Sequence, residues 1–88
     1  MWYFYILQST KIPDYFYKGS TNDLHRRFAE HNAGEVSSTK PYRPLRLVYY
    51  EGYLNEQSAR NREMSVKNSG AAWGALMGRV KKSLIHAL

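Results

Sequence analysis

Tyr17-Lys18-Gly19-Ser20-Thr21-Asn22-Asp23-Leu24-His25-Arg26-Arg27-Phe28-Ala29-Glu30-His31 is the stretch whose reading decides the fold. It reads as the end of a strand, a tight glycine turn, a cap and three turns of helix. Thr21 or Asn22 is expected to cap the helix, because either side chain can accept a hydrogen bond from a free backbone N–H of the first turn. Asp23 then adds negative charge where the helix dipole favours it. Leu24, Arg27, Phe28 and His31 fall at i, i+3, i+4 and i+7, so they share the face a small domain buries. An arginine and a histidine on that face are costly for packing alone, since buried charge needs a partner. Either they sit at the rim, with Arg27 reaching water along its aliphatic stem, or the stripe borders a cleft where a cation and an imidazole face an anion. Tyr17, just before the turn, and Tyr5, on the preceding strand, favour the cleft.

Upstream, Trp2 to Gln8 is aromatic and β-branched and reads as a strand. Trp2, Phe4 and Ile6 share one side and Tyr3, Tyr5 and Leu7 the other, and the nearly continuous apolarity predicts cover on both faces. Ser9 to Asp14, with Pro13, is a turn. Tyr15 to Gly19 forms the second strand of a hairpin, which can bring Tyr5 and Tyr17 together on one sheet face. Downstream, the helix ends near Ala33, with Gly34 placed for the left-handed C′ conformation. Glu35 to Pro44 is a polar loop carrying Ser37, Ser38, Thr39, Lys40, Tyr42 and Arg43; its hydroxyls and cations suit phosphate oxygens and suit a solvated loop equally. Leu45 to Tyr50 alternates Leu45, Leu47 and Tyr49 against Arg46, Val48 and Tyr50 and reads as a third strand.

Asn55 is expected to cap a second helix running to about Asn68, with Ala59, Glu63, Met64 and Val66 inward. Glu63 on that stripe has two readings. One is a salt bridge to Arg60 or Lys67. The other is a ligand to a hard divalent cation, which prefers carboxylate oxygen. Asn68-Ser69-Gly70 breaks the helix, and Ala71 to about Ala87 forms a third, with Trp73, Leu76, Met77, Val80 and Leu84 on one stripe. Arg79, Lys81 and Lys82 lie largely off it, on a face that is solvated or flanks nucleic acid.

The 88 residues are read as one domain, 1–88,. A hydrophobic content of 43% is normal for a globular protein and argues against global disorder, and the absence of cysteine excludes disulfides and thiolate metal sites,. The apolar N-terminus is too short for a membrane span and lacks the basic start of a signal peptide, so a cytoplasmic protein without a membrane partner is expected. A net charge of +6 and a pI near 9.7 point to a polyanionic partner such as nucleic acid, or to an acidic membrane surface,.

Tyr3-Phe4-Tyr5, Tyr17-Lys18-Gly19, the run Gly19 to Leu24, Arg27, His31, Tyr42-Arg43-Pro44-Leu45 and Arg62-Glu63 occur in an order and spacing that resemble the GIY-YIG nuclease superfamily. The resemblance is to its small single-domain bacterial members, related to the nuclease part of the excision-repair incision protein. It covers roughly residues 2 to 68. Only the tyrosine of the first motif is kept literally, and Lys18 stands for the usual isoleucine of the second. Better-studied members also carry an asparagine more than ten residues beyond the metal-binding glutamate. Here Asn68 follows Glu63 by five, and no asparagine comes after it.

The resemblance implies an α+β fold, a three-stranded antiparallel sheet flanked by three helices. It implies a divalent-metal-dependent endonuclease that hydrolyses phosphodiester bonds in nucleic acid, with DNA the expected kind. The expected roles are Tyr5 as general base or water-positioning group, His31 as acceptor of its proton, Arg27 as the fork on the scissile phosphate, Tyr17 as a phosphate hydrogen-bond donor and Glu63 as the carboxylate on Mg²⁺ or Mn²⁺. Lys18, Lys40, Arg43 and Lys67 are the expected nucleic-acid contacts, Lys18 with an electrostatic assist to Tyr5 if it points that way. A protein partner or homodimer is compatible with this. The alternative is a basic binding module with the nuclease fold and little or no catalysis; a third reading is a domain that binds protein only.

Overall fold

The computed structural model describes residues 1–87, with side chains through Leu84. In chain order the elements are β1 (Trp2–Ser9), β2 (Phe16–Thr21), α1 (Leu24–Asn32), a short 3₁₀ turn (Lys40–Tyr42), β3 (Leu45–Tyr53), α2 (Glu56–Asn68) and α3 (Gly70–Ala87). The strands form one antiparallel sheet in the order β2-β1-β3, so the most apolar strand is central. This is the α+β architecture that the sequence predicts.

Both faces of β1 are covered, as its continuous apolarity requires. Phe4 and Ile6 pack with Val66 of α2 and Leu76, Met77 and Val80 of α3. Tyr5 and Leu7 point the other way, into a cluster with Leu24 and Phe28 of α1, Leu45 and Tyr42. The sheet is thus a partition, with α2 and α3 on one side and α1 with its following loop on the other.

Several boundaries differ from the sequence reading, each for a local reason. Thr21 stays in β2, paired with Tyr3, and spends its hydroxyl on the Asp23 N–H at 3.1 Å. The cap therefore falls on Asp23, whose carboxylate accepts the Arg26 N–H at 3.0 Å. β3 runs on past Tyr50 to Tyr53, with Glu51 held by Arg62 of α2 and by the Tyr49 and Tyr53 hydroxyls. A register shift between Ile6 and Leu7 inserts Val48 as an extra residue, so Leu45 faces α1 while Val48 and Tyr49 both pack on the α2–α3 side,. Met64, expected inward, is 61% exposed. The break before α3 shrinks to Ser69, whose hydroxyl accepts the Ala72 N–H and opens the new helix.

Two devices hold the loop after α1. Gly34 takes φ +80°, the left-handed turn its position predicts,. The Asn32 amide then grips Leu45 on both sides, accepting its N–H at 2.8 Å and donating to its carbonyl at 2.9 Å. Tyr15 and Tyr42 stack with centroids 3.6 Å apart and tie the loop to the hairpin. No described helix is long and apolar enough to cross a membrane.

Candidate active site

The site lies on the α1 side of the sheet. Tyr5 on β1 pairs with Gly19 on β2. Gly19 has no side chain, so the Tyr5 ring crosses β2 at that point; a Cβ on Gly19 would sit 2.6 Å from the Tyr5 hydroxyl oxygen and 3.0 Å from Tyr17 Cε2. Beyond it, the Tyr5 hydroxyl meets His31 Nε2 at 2.9 Å. The Tyr17 ring closes the group, its centroid 4.9 Å from that of His31 and 6.3 Å from that of Tyr5. Leu24, Arg27, Phe28 and His31 share the inward stripe of α1, and His31 is fully buried.

Burial without a carboxylate partner sets the charges here. It pushes the Tyr5 hydroxyl up to about 12, with Tyr17 adding to the effect and Arg27 opposing it. It pulls His31 down to about 4, and the positive charge of Arg27 works in the same direction. At neutral pH the pair is therefore a phenol hydrogen-bonded to a neutral imidazole. Arg27, half-exposed, forms an ion pair with Glu30 at 3.1 Å. That carboxylate holds the guanidinium at the site's edge.

Glu63 approaches from the other helix layer. Its Oε1 accepts the Ser20 hydroxyl at 2.6 Å, next to Gly19, and its Oε2 is paired with Lys67 one turn along α2. It opens onto a cleft of about 160 Å³ with Arg60, Met64, Lys67 and Asn68. No group of three or more His, Cys, Asp or Glu residues is assembled among the described residues. The donor set therefore fits only a hard cation that keeps most of its water, held through one carboxylate. Lys67 occupies the carboxylate oxygen such a cation would take.

Tyr5, Tyr17, Arg27 and His31 are thus brought together, and Glu63 stands at the β2 edge beside them. Lys18 is not brought in. It pairs with Ile6 on the opposite sheet face, with its ammonium 4.1 Å from the Trp73 ring centroid, so the electrostatic assist to Tyr5 is corrected by strand alternation. Burial, reinforced by the charge of Lys67, lowers its pKa. Lys40 and Arg43 line a separate cleft of about 480 Å³ with Lys11, Asn32, Pro41 and Pro44.

Thr39 escaped the sequence reading. It was one of several polar loop residues, yet it is fully buried and its Oγ1 lies 2.7 Å from His31 Nδ1. Hydroxyl-rich loop composition gave no signal to separate it from Ser37 and Ser38. Ser20, on the Glu63 carboxylate, was likewise visible only as a turn residue.

A three-stranded sheet partitioning two helical layers, with buried tyrosines, a neutral imidazole, an edge arginine and one carboxylate, makes a small α+β domain with a candidate active site built across its sheet. The family model described as the GIY-YIG catalytic domain matches residues 1–75, and the chain belongs to that family. It is similar to a UPF0213 protein of Lactiplantibacillus plantarum, 35% identical over 74 residues, which are 81% of this chain and 71% of that protein. It is also similar to UPF0213 proteins of Cupriavidus pinatubonensis, 33% identical over 81% of this chain and 78% of the relative, and Haloquadratum walsbyi, 36% identical over 75% and 73%. No solved structure matches it.

Proposed function

We propose that the protein is a divalent-metal-dependent endonuclease that hydrolyses phosphodiester bonds in nucleic acid, with DNA the expected substrate. The observation that carries this reading is the buried Tyr5–His31 hydrogen bond beside Tyr17 and Arg27. Hydrolysis needs a group that takes a proton from the attacking water, and a phenol backed by a neutral imidazole can serve.

Magnitude decides how Tyr5 acts. Moving a proton from a phenol near 12 to an imidazole near 4 costs on the order of 10 kcal/mol as a separate step,. Tyr5 therefore stays a phenol at rest. Its hydrogen is given to His31 Nε2, and its oxygen lone pairs accept a hydrogen from the attacking water. As the water oxygen bonds to phosphorus, the water proton passes to the Tyr5 oxygen while the Tyr5 proton passes to Nε2. The P–O bond to the leaving oxygen breaks with its electron pair; that oxygen takes a proton from solvent water, and His31 returns its extra proton to solvent through Tyr5 once the product leaves. Concerted transfer avoids a free phenolate. Arg27 exchanges Glu30 for the phosphate, binding it as a charge-assisted fork, and Tyr17 donates a hydrogen bond to it. Glu63 would hold Mg²⁺ or Mn²⁺. When bound, the cation supplies positive charge against the charge that develops on the phosphoryl oxygens.

The second reading, a binding module without catalysis, is favoured by one observation: both oxygens of Glu63 are already engaged, by Ser20 and Lys67. The test is cleavage of labelled duplex, branched and single-stranded DNA and RNA with Mg²⁺, Mn²⁺ or EDTA, using wild type, Tyr5→Phe and Glu63→Ala. Metal-dependent products lost in both variants support the nuclease. Salt-sensitive binding by all three proteins with no product under any condition would replace it with the binding module.

A further inference from the structure

We propose that Thr39 is a positioning residue that keeps the hydrogen of His31 on Nδ1, leaving Nε2 as a bare acceptor aimed at the Tyr5 hydroxyl. The functional part of this inference rests on the nuclease reading above; the tautomer itself does not.

The three side chains form one buried chain of hydrogen bonds. Tyr5 oxygen and His31 Nε2 are 2.9 Å apart, His31 Nδ1 and Thr39 Oγ1 are 2.7 Å apart, and Thr39 Oγ1 is 3.4 Å from the Val36 carbonyl. His31 and Thr39 are fully buried and Tyr5 is 2% exposed. A neutral imidazole has one donor and one acceptor, so the chain runs in one direction or the other. If Tyr5 donates to Nε2, then Nδ1–H donates to Thr39 and the threonine hydrogen ends on the Val36 carbonyl; every hydrogen has an acceptor. In the reverse direction Thr39 donates to Nδ1 and Nε2–H donates to Tyr5. The Tyr5 hydroxyl hydrogen then has no acceptor among the described residues, a costly arrangement at a buried site.

Among the described residues, Thr39 is the one whose side chain meets His31 Nδ1. Tyr5 of β1 and Tyr17 of β2 approach from the sheet. Arg27 and Glu30 act from within α1, and they act as charges, without a hydrogen bond to either ring nitrogen. The loop contributes Thr39. Its own position is fixed by backbone bonds: its N–H donates to the Val36 carbonyl and its carbonyl accepts the Tyr42 N–H. The consequence is mechanistic. When the Tyr5 proton arrives on Nε2, the imidazolium has two N–H groups, and the second is already accepted by Thr39.

The experiment is a long-range ¹H–¹⁵N correlation spectrum of histidine-labelled, substrate-free protein at neutral pH, which reads the tautomer without activity. We expect wild type and Thr39→Ser to show His31 protonated at Nδ1, and Thr39→Val, which keeps the shape and removes the hydroxyl, to move population to the Nε2–H form. Thr39→Val is further expected to lower kcat about 10²-fold with nucleic-acid affinity unchanged, and Thr39→Ser to restore it. A wild-type spectrum showing Nε2–H would overturn the assignment, as would an unmoved Nδ1–H signal in folded Thr39→Val. The expected tautomers with no cleavage by wild type would leave the hydrogen-bond assignment standing and sink the nuclease reading instead.

Discussion

Tyr5 reaches His31 only by crossing Gly19, where an added Cβ would overlap its hydroxyl at 2.6 Å. The Tyr5 ring is buried and held on both sides, so it cannot swing away cheaply. Gly19→Ala is expected to cost about 1–3 kcal/mol of stability, as overpacking does, and to break the Tyr5–His31 hydrogen bond. Denaturant unfolding and the His31 NMR signal check both. His31 itself makes stability depend on pH. Its ordinary value is 6.5 and the folded value is about 4. Between these the unfolded chain binds a proton that the folded chain refuses, so stability rises with pH across that window. It is lost as pH falls from about 6.5 to about 4, and this group contributes no further loss below. The size is about 2–3 kcal/mol at a fully buried position,. His31→Gln should flatten that part of the pH–stability curve; urea midpoints at several pH values, wild type against variant, show whether it does.

At the scale of elements, periodicity and one of the two helix caps were legible, and long-range company was not. The inward stripe of α1, the Asn55 cap, the Gly34 turn and the α3 stripe all follow from local spacing, and the structure has each of them. The two-sided cover of β1 was legible because no polar residue interrupts it. What failed depended on partners distant in sequence. β3 extends through Glu51 because Arg62, eleven residues on, neutralises it; burial pushes that carboxyl up, and hydrogen bonds from Arg62, Tyr49 and Tyr53 outweigh this and hold it below its usual value. Thr39 is buried because the loop folds back through the 3₁₀ turn and the Tyr15–Tyr42 stack. Lys18 lay on the wrong face because pairing, not proximity to Tyr17, sets direction. Of the α2 alternatives for Glu63, the ion pair to Lys67 is present, and it bears on metal binding. The pair is partly exposed and so worth about 0.3–0.5 kcal/mol. A divalent cation bound as proposed at Glu63 would displace it at a small cost in affinity. Lys67→Met should therefore tighten Mn²⁺ binding about twofold in calorimetric titration, whereas Ser20→Ala, which frees the other oxygen's orientation, should weaken it. Weaker binding in Lys67→Met would show that the lysine supports the site.

Over the whole molecule, the net charge of +6 is distributed unevenly. Arg26, Arg27, Arg60, Arg62 and Lys67 are ion-paired to Glu30, Glu56, Glu51 and Glu63. Among the described residues, Lys11, Lys18, Lys40, Arg43, Arg46, Arg79, Lys81 and Lys82 have no such carboxylate, and Lys11, Lys40 and Arg43 line one concave cleft. A second cleft of similar volume on the opposite layer has Lys18 and Lys81, but Asp14 is in its wall and the Lys18 ammonium rests on Trp73. The first cleft is the better path for a phosphate backbone for two reasons. It adjoins Asn32 and Lys40, the immediate neighbours of His31 and Thr39, and no carboxylate lines it. Arg43 also supports Gly34, since a Cβ there would lie 2.6 Å from its Nη1, so Lys11 and Lys40 are the cleaner probes. Each phosphate neutralised contributes about 0.9 to the slope of log K against log salt on duplex DNA. The Lys11→Ala/Lys40→Ala double variant should therefore bind every sequence more weakly and lower that slope by up to about 2, with the Tyr5–His31 signal unchanged. Fluorescence anisotropy across a salt series measures this. If Lys18→Ala/Lys81→Ala lowers the slope instead, the strand runs along the α3 layer and reaches the site past Glu63, which would make the basic face of α3 part of the interface.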